Sequence, residues 1–117
     1  MSIIKKMYFK LKIMKFKEYQ DLAKTTAIYP ENAKIFYPCL GLAGEIGEVC
    51  EKVKKNIRDG RVLDKEELKK EIGDVLWYMS ALCSDLEINL EDVAVTNYNK
   101  LKSRMERNVL SGSGDNR

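Results

Sequence analysis

The sequence predicts an all-α fold of four helices, and three observations predict it. Apolar residues recur at helical spacing in four successive stretches. Turn and capping residues (Pro30, Gly60, Asp64 and Asn89) separate those stretches at short intervals. After residue 14 the alternating pattern of a strand is nearly absent. A length of 117 residues fits one domain, and 44% hydrophobic with 33% charged residues suits a globular chain with a modest core.

Residues 1–14 alternate apolar and basic side chains, which suits a short strand, a frayed arm or an extension ahead of a natural start at Met14. Residues 15–28 keep Phe16, Tyr19, Leu22, Ala23 and Ala27 on one side of a first helix. Tyr29-Pro30-Glu31-Asn32 breaks it, because the residue before a proline avoids the helical region. The second helix is expected from near Pro38 to about Asp59, with an apolar stripe of Leu42, Ile46, Val49, Val53 and Ile57 and a glycine cap at Gly60. Asp64 followed by Glu67 resembles a capping box and opens a third helix through Leu68, Ile72, Val75, Met79, Leu82 and Leu86. Asn89 with Asp92 resembles another N-cap, opening a fourth helix through Leu90, Val93, Val95, Tyr98, Leu101 and Met105. The folded domain is expected to occupy residues 15–108, and the tail 109–117, containing SGSGDNR, to be disordered.

Composition excludes several chemistries. With no histidine there is no Ser-His-Asp or Cys-His catalysis and no His-ligated zinc. Cys39, Cys50 and Cys83 are odd in number and widely spaced, which reads as buried small hydrophobes in a reducing compartment. No run of 18 apolar residues exists to cross a membrane, and the lysine-dotted leader is a poor signal peptide, so a cytoplasmic location is expected. The net charge is +3, yet six lysines lie ahead of the first acid, Glu18. The remainder carries 15 basic against 18 acidic residues, a net of −3, which argues against nucleic acid as the partner.

One constellation carries chemistry. Residues 42–49 read LAGEIGEV and residues 68–75 read LKKEIGDV, so each expected helix holds two carboxylates three residues apart: Glu45 with Glu48, and Glu71 with Asp74. That spacing separates side chains by about 60° and one turn of rise, so both members of a pair point the same way. Both pairs adjoin the apolar stripe. If the two stripes pack antiparallel, as a short connection requires, four carboxylates converge at the edge of the helix–helix interface. Gly47 and Gly73, each costing about 1 kcal/mol of helix propensity, suggest a close backbone approach there. Converging carboxylates repel unless a cation intervenes. Oxygen-only ligation favours Mg²⁺ or Mn²⁺ over zinc, and such ions seek phosphate oxygens. A phosphate ester or anhydride is therefore the natural substrate class, with an ionised carboxylate, Glu45 or Glu48, orienting or deprotonating the attacking water.

The segments GLAGEIGEVCEKVKK, ELKKEIGDVLWY and NYNKLKSR together resemble the MazG-like all-α nucleoside triphosphate pyrophosphohydrolases, over roughly residues 16–107. The resemblance implies Mg²⁺-dependent cleavage between the α- and β-phosphates of a nucleoside triphosphate, giving a nucleoside monophosphate and pyrophosphate. It implies Glu45, Glu48, Glu71 and Asp74 as metal ligands, and a four-helix fold whose bundles are completed by a second subunit, in a homodimer or homotetramer. Asn97, Lys100 and Arg104 match its N-x-x-K-L-x-x-R segment and suit sugar, base or phosphate.

Further candidates come from the residues themselves. Lys54, Lys55 and Arg58 follow the first acidic pair and could counter triphosphate charge, although bases near a helix C-terminus also suit its dipole. Tyr78, four residues after Asp74 on the same side, is the first candidate for stacking on a base, and Tyr29 and Tyr37 could form a lid or wall. Trp77 points away from that side and suits a subunit contact. The competing reading is a non-catalytic helical oligomeric interaction module whose carboxylates ligate a structural cation or pair with lysines.

Overall fold

The structure, a computed structural model, describes residues 2–5 and 13–117. Residues 6–12, which hold most of the alternating leader, and Met1 lie outside the described residues. Among the described residues the fold is all-α, with no strand. Residues 3–5 are helical, and after the undescribed stretch four helices follow in order: α1 (Phe16–Lys24), α2 (Phe36–Asp59), α3 (Lys65–Asp85) and α4 (Leu90–Glu106), with a 3₁₀ turn at Glu31–Ala33.

Helix α1 stops four residues short of the expected end. Thr25 and Thr26 turn their hydroxyls back onto the Leu22 and Ala23 carbonyls, at 2.6 and 2.7 Å, and so compete with continued helix. Helix α2 starts two residues before Pro38, which is accommodated in its first turn because no intrahelical N–H is required there. Its entry is unusual. Ile35 has φ 71° and ψ −54°, and the Phe36 N–H reaches the Lys34 carbonyl at 2.8 Å. This is a γ-turn of the strained, positive-φ kind, on a β-branched residue, and it costs on the order of 1–3 kcal/mol.

The helix ends follow capping rules. Gly60 takes the left-handed conformation after α2, while Asp64 caps α3 by accepting from the Glu66 and Glu67 N–H groups at 3.0 and 3.2 Å. Glu87, at φ 58°, closes α3 with a Schellman pair, Ile88 N–H to Cys83 O at 2.8 Å and Glu87 N–H to Ser84 O at 3.1 Å. Asn89 occupies the N-cap position of α4, but its side chain caps nothing. Gln20, from α1, does that work: its Oε1 accepts the Leu90 N–H at 2.8 Å while its Nε2 donates to the Ile88 carbonyl at 2.8 Å and to Ser84 Oγ at 3.2 Å. No local pattern announces a cap supplied from 70 residues away.

The principal packing is α2 against α3, joined by residues 60–64 and therefore antiparallel. Gly41 faces Tyr78, Glu45 faces Glu71 and Asp74, and Lys52 faces Glu67, positions rising on one helix as they fall on the other. The close approach expected at Gly47 and Gly73 is not found within the chain, because a Cβ at either would meet nothing within 4 Å. It is found at Gly41, where a Cβ would fall inside the Tyr78 ring. Among the described residues the buried apolar ones are few: Ala23, Pro38, Ala81 and Leu90. Half of the expected stripe faces outward, with Ile46 48%, Ile57 78% and Ile72 57% exposed. Cys39 and Cys50 are exposed too, against the expectation of burial, since α3 covers only one side of α2.

Gln20→Ala would strand the Ile88 carbonyl and the buried Leu90 amide. It should lower unfolding free energy by about 2–3 kcal/mol in urea titration, whereas Asn89→Ala, at the formal cap, should change it by less than about 0.5 kcal/mol.

Candidate functional site

The α2–α3 register brings acids from two helices together. Glu45, Glu71 and Asp74 each offer a carboxylate oxygen, all within 4.8 Å of one another. Glu45 and Glu71 are half-buried and Asp74 is exposed. Burial raises the Glu45 carboxyl above its ordinary 4.5, and the charges of Asp74, Glu71 and Glu48 raise it further. That mutual repulsion is what a hard cation would relieve, and an all-oxygen donor set suits Mg²⁺ or Mn²⁺. The residues present therefore fit a divalent ion.

Glu48, one turn beyond Glu45, is exposed and lines a cleft of about 400 Å³ shared with Lys52, Lys55, Arg58, Arg61 and Glu67. Arg58 lines this cleft but not the cluster of Glu45, Glu71 and Asp74, and its guanidinium binds Asp59 at 2.7 Å. Lys54 is not in the cleft; it pairs with Glu51 at 2.9 Å on the outer side of α2. The lysine that faces the acids is Lys52, 3.7 Å from Glu71 and 3.9 Å from Glu67. Its spacing, seven residues after Glu45 and so on the same helical face, was the signal for it.

At the other end of the cluster stand aromatic rings. Tyr78 lies beside Glu45 and Asp74, whose charges, after burial and Tyr37, raise its phenol pKa. Its ring tilts against Tyr37, centroids 6.4 Å apart at 43°, and Tyr37 stacks on Tyr29 at 4.7 Å and 18°. Tyr19 of α1 also borders the site: burial and then Asp74 raise its phenol. Trp77 is half-buried within the chain, edge-on to Tyr78 at 5.0 Å, and donates from Nε1 to Thr26 Oγ1 at 2.8 Å. That bond ties α3 to the end of α1.

Helix α4 stays apart from the acids within one chain. Asn97 and Lys100 line a separate hollow of about 340 Å³ with Ile88, Asp92, Val93 and Thr96. Arg104 is 5% exposed, and its Nη2 donates to the Gly114 and Asp115 carbonyls at 3.3 and 3.0 Å. Lys100 pairs with the Asp115 carboxylate at 3.3 Å.

Carboxylates from two antiparallel helices thus lie between a cleft lined by cationic side chains and a group of packed tyrosines. The family model described as MazG nucleotide pyrophosphohydrolase domain matches residues 39–109. The chain belongs to that family. It is 43% identical over 109 residues to Gene 37 protein of Mycobacterium phage L5, a match spanning 85% of this chain and 96% of that one. No solved structure matches.

The raised Glu45 carboxyl has a consequence for stability. The native state holds this proton more tightly than the unfolded chain does. Its contribution is therefore fully present below about pH 4.5 and is lost as pH rises through the raised value. In metal-free buffer the melting temperature of the wild type should fall relative to Glu45→Gln across that window, and Mg²⁺ at neutral pH should raise the wild type but not the variant.

Proposed function

We propose that this protein is a Mg²⁺-dependent nucleoside triphosphate pyrophosphohydrolase, converting a (d)NTP and water to the (d)NMP and pyrophosphate in nucleotide-pool housecleaning. The convergence of Glu45, Glu71 and Asp74 from two helices carries the reading, and the family supports a pyrophosphohydrolase-type enzyme in general. Glu48 completes the ligand set from one turn along α2. When bound, Mg²⁺ or Mn²⁺ would neutralise phosphate charge and make the phosphorus more open to attack. The chain supplies the rest. A carboxylate of the first pair, Glu45 or Glu48, orients the attacking water and takes its proton. Lys52, Lys55 and Arg58 offset charge on the leaving pyrophosphate, and Tyr78 offers a face to the base.

Asn97, Lys100 and Arg104 lie away from the acids of their own chain, and in this proposal they serve the site of a second copy. The exposed Leu40, Ile46, Ile57 and Ile72 support a homodimer or homotetramer, since so much apolar surface is uncommon on a monomer. No described helix is long and apolar enough to cross a membrane, and a cytoplasmic location is part of the proposal. One observation favours a non-catalytic helical module with a structural cation: Lys52 already pairs with Glu71.

Pyrophosphate release from a panel of nucleotides separates the two readings. The enzyme should turn over at least one nucleotide with Mg²⁺ and none with EDTA. Glu48→Gln should lower the rate by at least 100-fold, in line with loss of a general base, with unchanged helical circular dichroism. Well-folded wild type that releases pyrophosphate from none of them would favour the module. Ile46→Asp should lower the mass seen by sedimentation equilibrium.

A further inference from the structure

The face of α3 that carries the acids continues beyond them. Glu71, Asp74, Tyr78 and Asp85 fall at i, i+3, i+7 and i+14, within a narrow arc of the helix. Asp85 is the last helical residue, about 16 Å along the axis from Asp74 at 1.5 Å per residue. Its partners come from the segment between α1 and α2. One oxygen, Oδ2, accepts both the Tyr29 hydroxyl at 2.8 Å and the Ile35 N–H at 2.9 Å. Ile35 is the residue in the strained γ-turn, and Tyr29 is the ring that stacks on Tyr37. Tyr37 in turn leans over Tyr78, which is seated where Gly41 leaves room for it.

We propose that Asp85 is a positioning residue for base recognition: it clamps residues 29–35 so that Tyr29 and Tyr37 present a rigid aromatic wall packed against Tyr78, beside the acidic cluster. This rests on the hydrolase reading and goes beyond it by assigning base discrimination to a residue that touches neither metal nor nucleotide.

The arrangement suits the task. Tyr37 and Tyr78 are in tilted contact, centroids 6.4 Å apart at 43°, so the two rings together offer one aromatic surface on which a base can stack. Tyr29 backs Tyr37, so the wall does not yield when a ring presses on it. Burial, with the hydrogen bond to Asp85, pushes the Tyr29 phenol well above its ordinary value, so it remains the donor throughout the neutral range. The Ile35 turn is unfavourable by itself and persists because Asp85 holds its amide, which makes the wall's position depend on this one carboxylate.

The test compares wild type with Asp85→Ala, Asp85→Asn and Tyr29→Phe in steady-state kinetics over purine and pyrimidine triphosphates with Mg²⁺. Inorganic pyrophosphate is titrated as an inhibitor that meets only the metal and phosphate side. Asp85→Ala should raise KM for the preferred nucleotide about tenfold, flatten the preference between bases, and change kcat less than threefold. Inhibition by pyrophosphate should stay at the wild-type level. Asp85→Asn, which keeps an acceptor oxygen, should recover most of the wild-type KM. Tyr29→Phe, which loses only the hydroxyl, should raise KM about threefold and weaken the near-ultraviolet circular dichroism of the stacked tyrosines. Wild-type turnover with KM and base preference unmoved in Asp85→Ala and Tyr29→Phe overturns this inference alone. Parallel loss of kcat, pyrophosphate inhibition and melting temperature in both variants also overturns it, by showing a merely structural role. A wild type inactive on every nucleotide overturns the hydrolase reading, and this inference with it.

Discussion

The structure turns on an electrostatic conflict accepted at the α2–α3 interface. Antiparallel packing of these helices buries apolar surface, and the same register drives Glu45 against Glu71 and Asp74. Like charges so close would ordinarily select against the register. Burial raises the Glu45 carboxyl above its ordinary value, and the neighbouring charges of Asp74, Glu71 and Glu48 raise it further. Lys52 neutralises one end of the cluster, and the remaining oxygens are those a hard cation seeks.

Around that interface, polar side chains do tasks that a larger domain would leave to its core. Few apolar side chains are fully buried in the single chain. Gln20 joins α1 to the α3–α4 turn through three hydrogen bonds, Trp77 joins α3 to the end of α1, and Asp85 joins α3 to the segment entering α2. Each of these contacts is directional, so each fixes a position as well as adding stability. The helices are thus held in register by long-range hydrogen bonds, while one side of α2 is left apolar and open. That division is consistent with a subunit whose own packing orders the site and whose outer face is free for association.

The two ends of the site have different physical characters for the same reason. Toward the N-terminal half of α3, paired with the later turns of α2, charged side chains line an open cleft. Toward its C-terminal half, paired with the first turns of α2, a glycine at position 41 admits an aromatic ring between the helices. In the proposed function, the phosphates of the nucleotide lie toward the charged half and its base toward the rings. The acids sit at the junction between the two halves.

Local chemistry made much of this legible without coordinates. Helical periodicity, the Asp64 cap, the Gly60 terminus and the i, i+3 acidic pairs all involve residues within a turn or two of each other, where chain geometry alone sets distances. The tertiary structure decided what depends on helix rotation and register. It chose Lys52 over Lys54 as the cation beside the acids, and Gly41 over Gly47 and Gly73 as the point of close approach. It turned Cys39 and Cys50 outward. It also revealed Gln20 and Asp85, whose partners lie 70 and 50 or more residues distant. A side chain's partner across such a separation is set by how two helices lie against each other, and that is a property of the packed whole, not of any window of sequence.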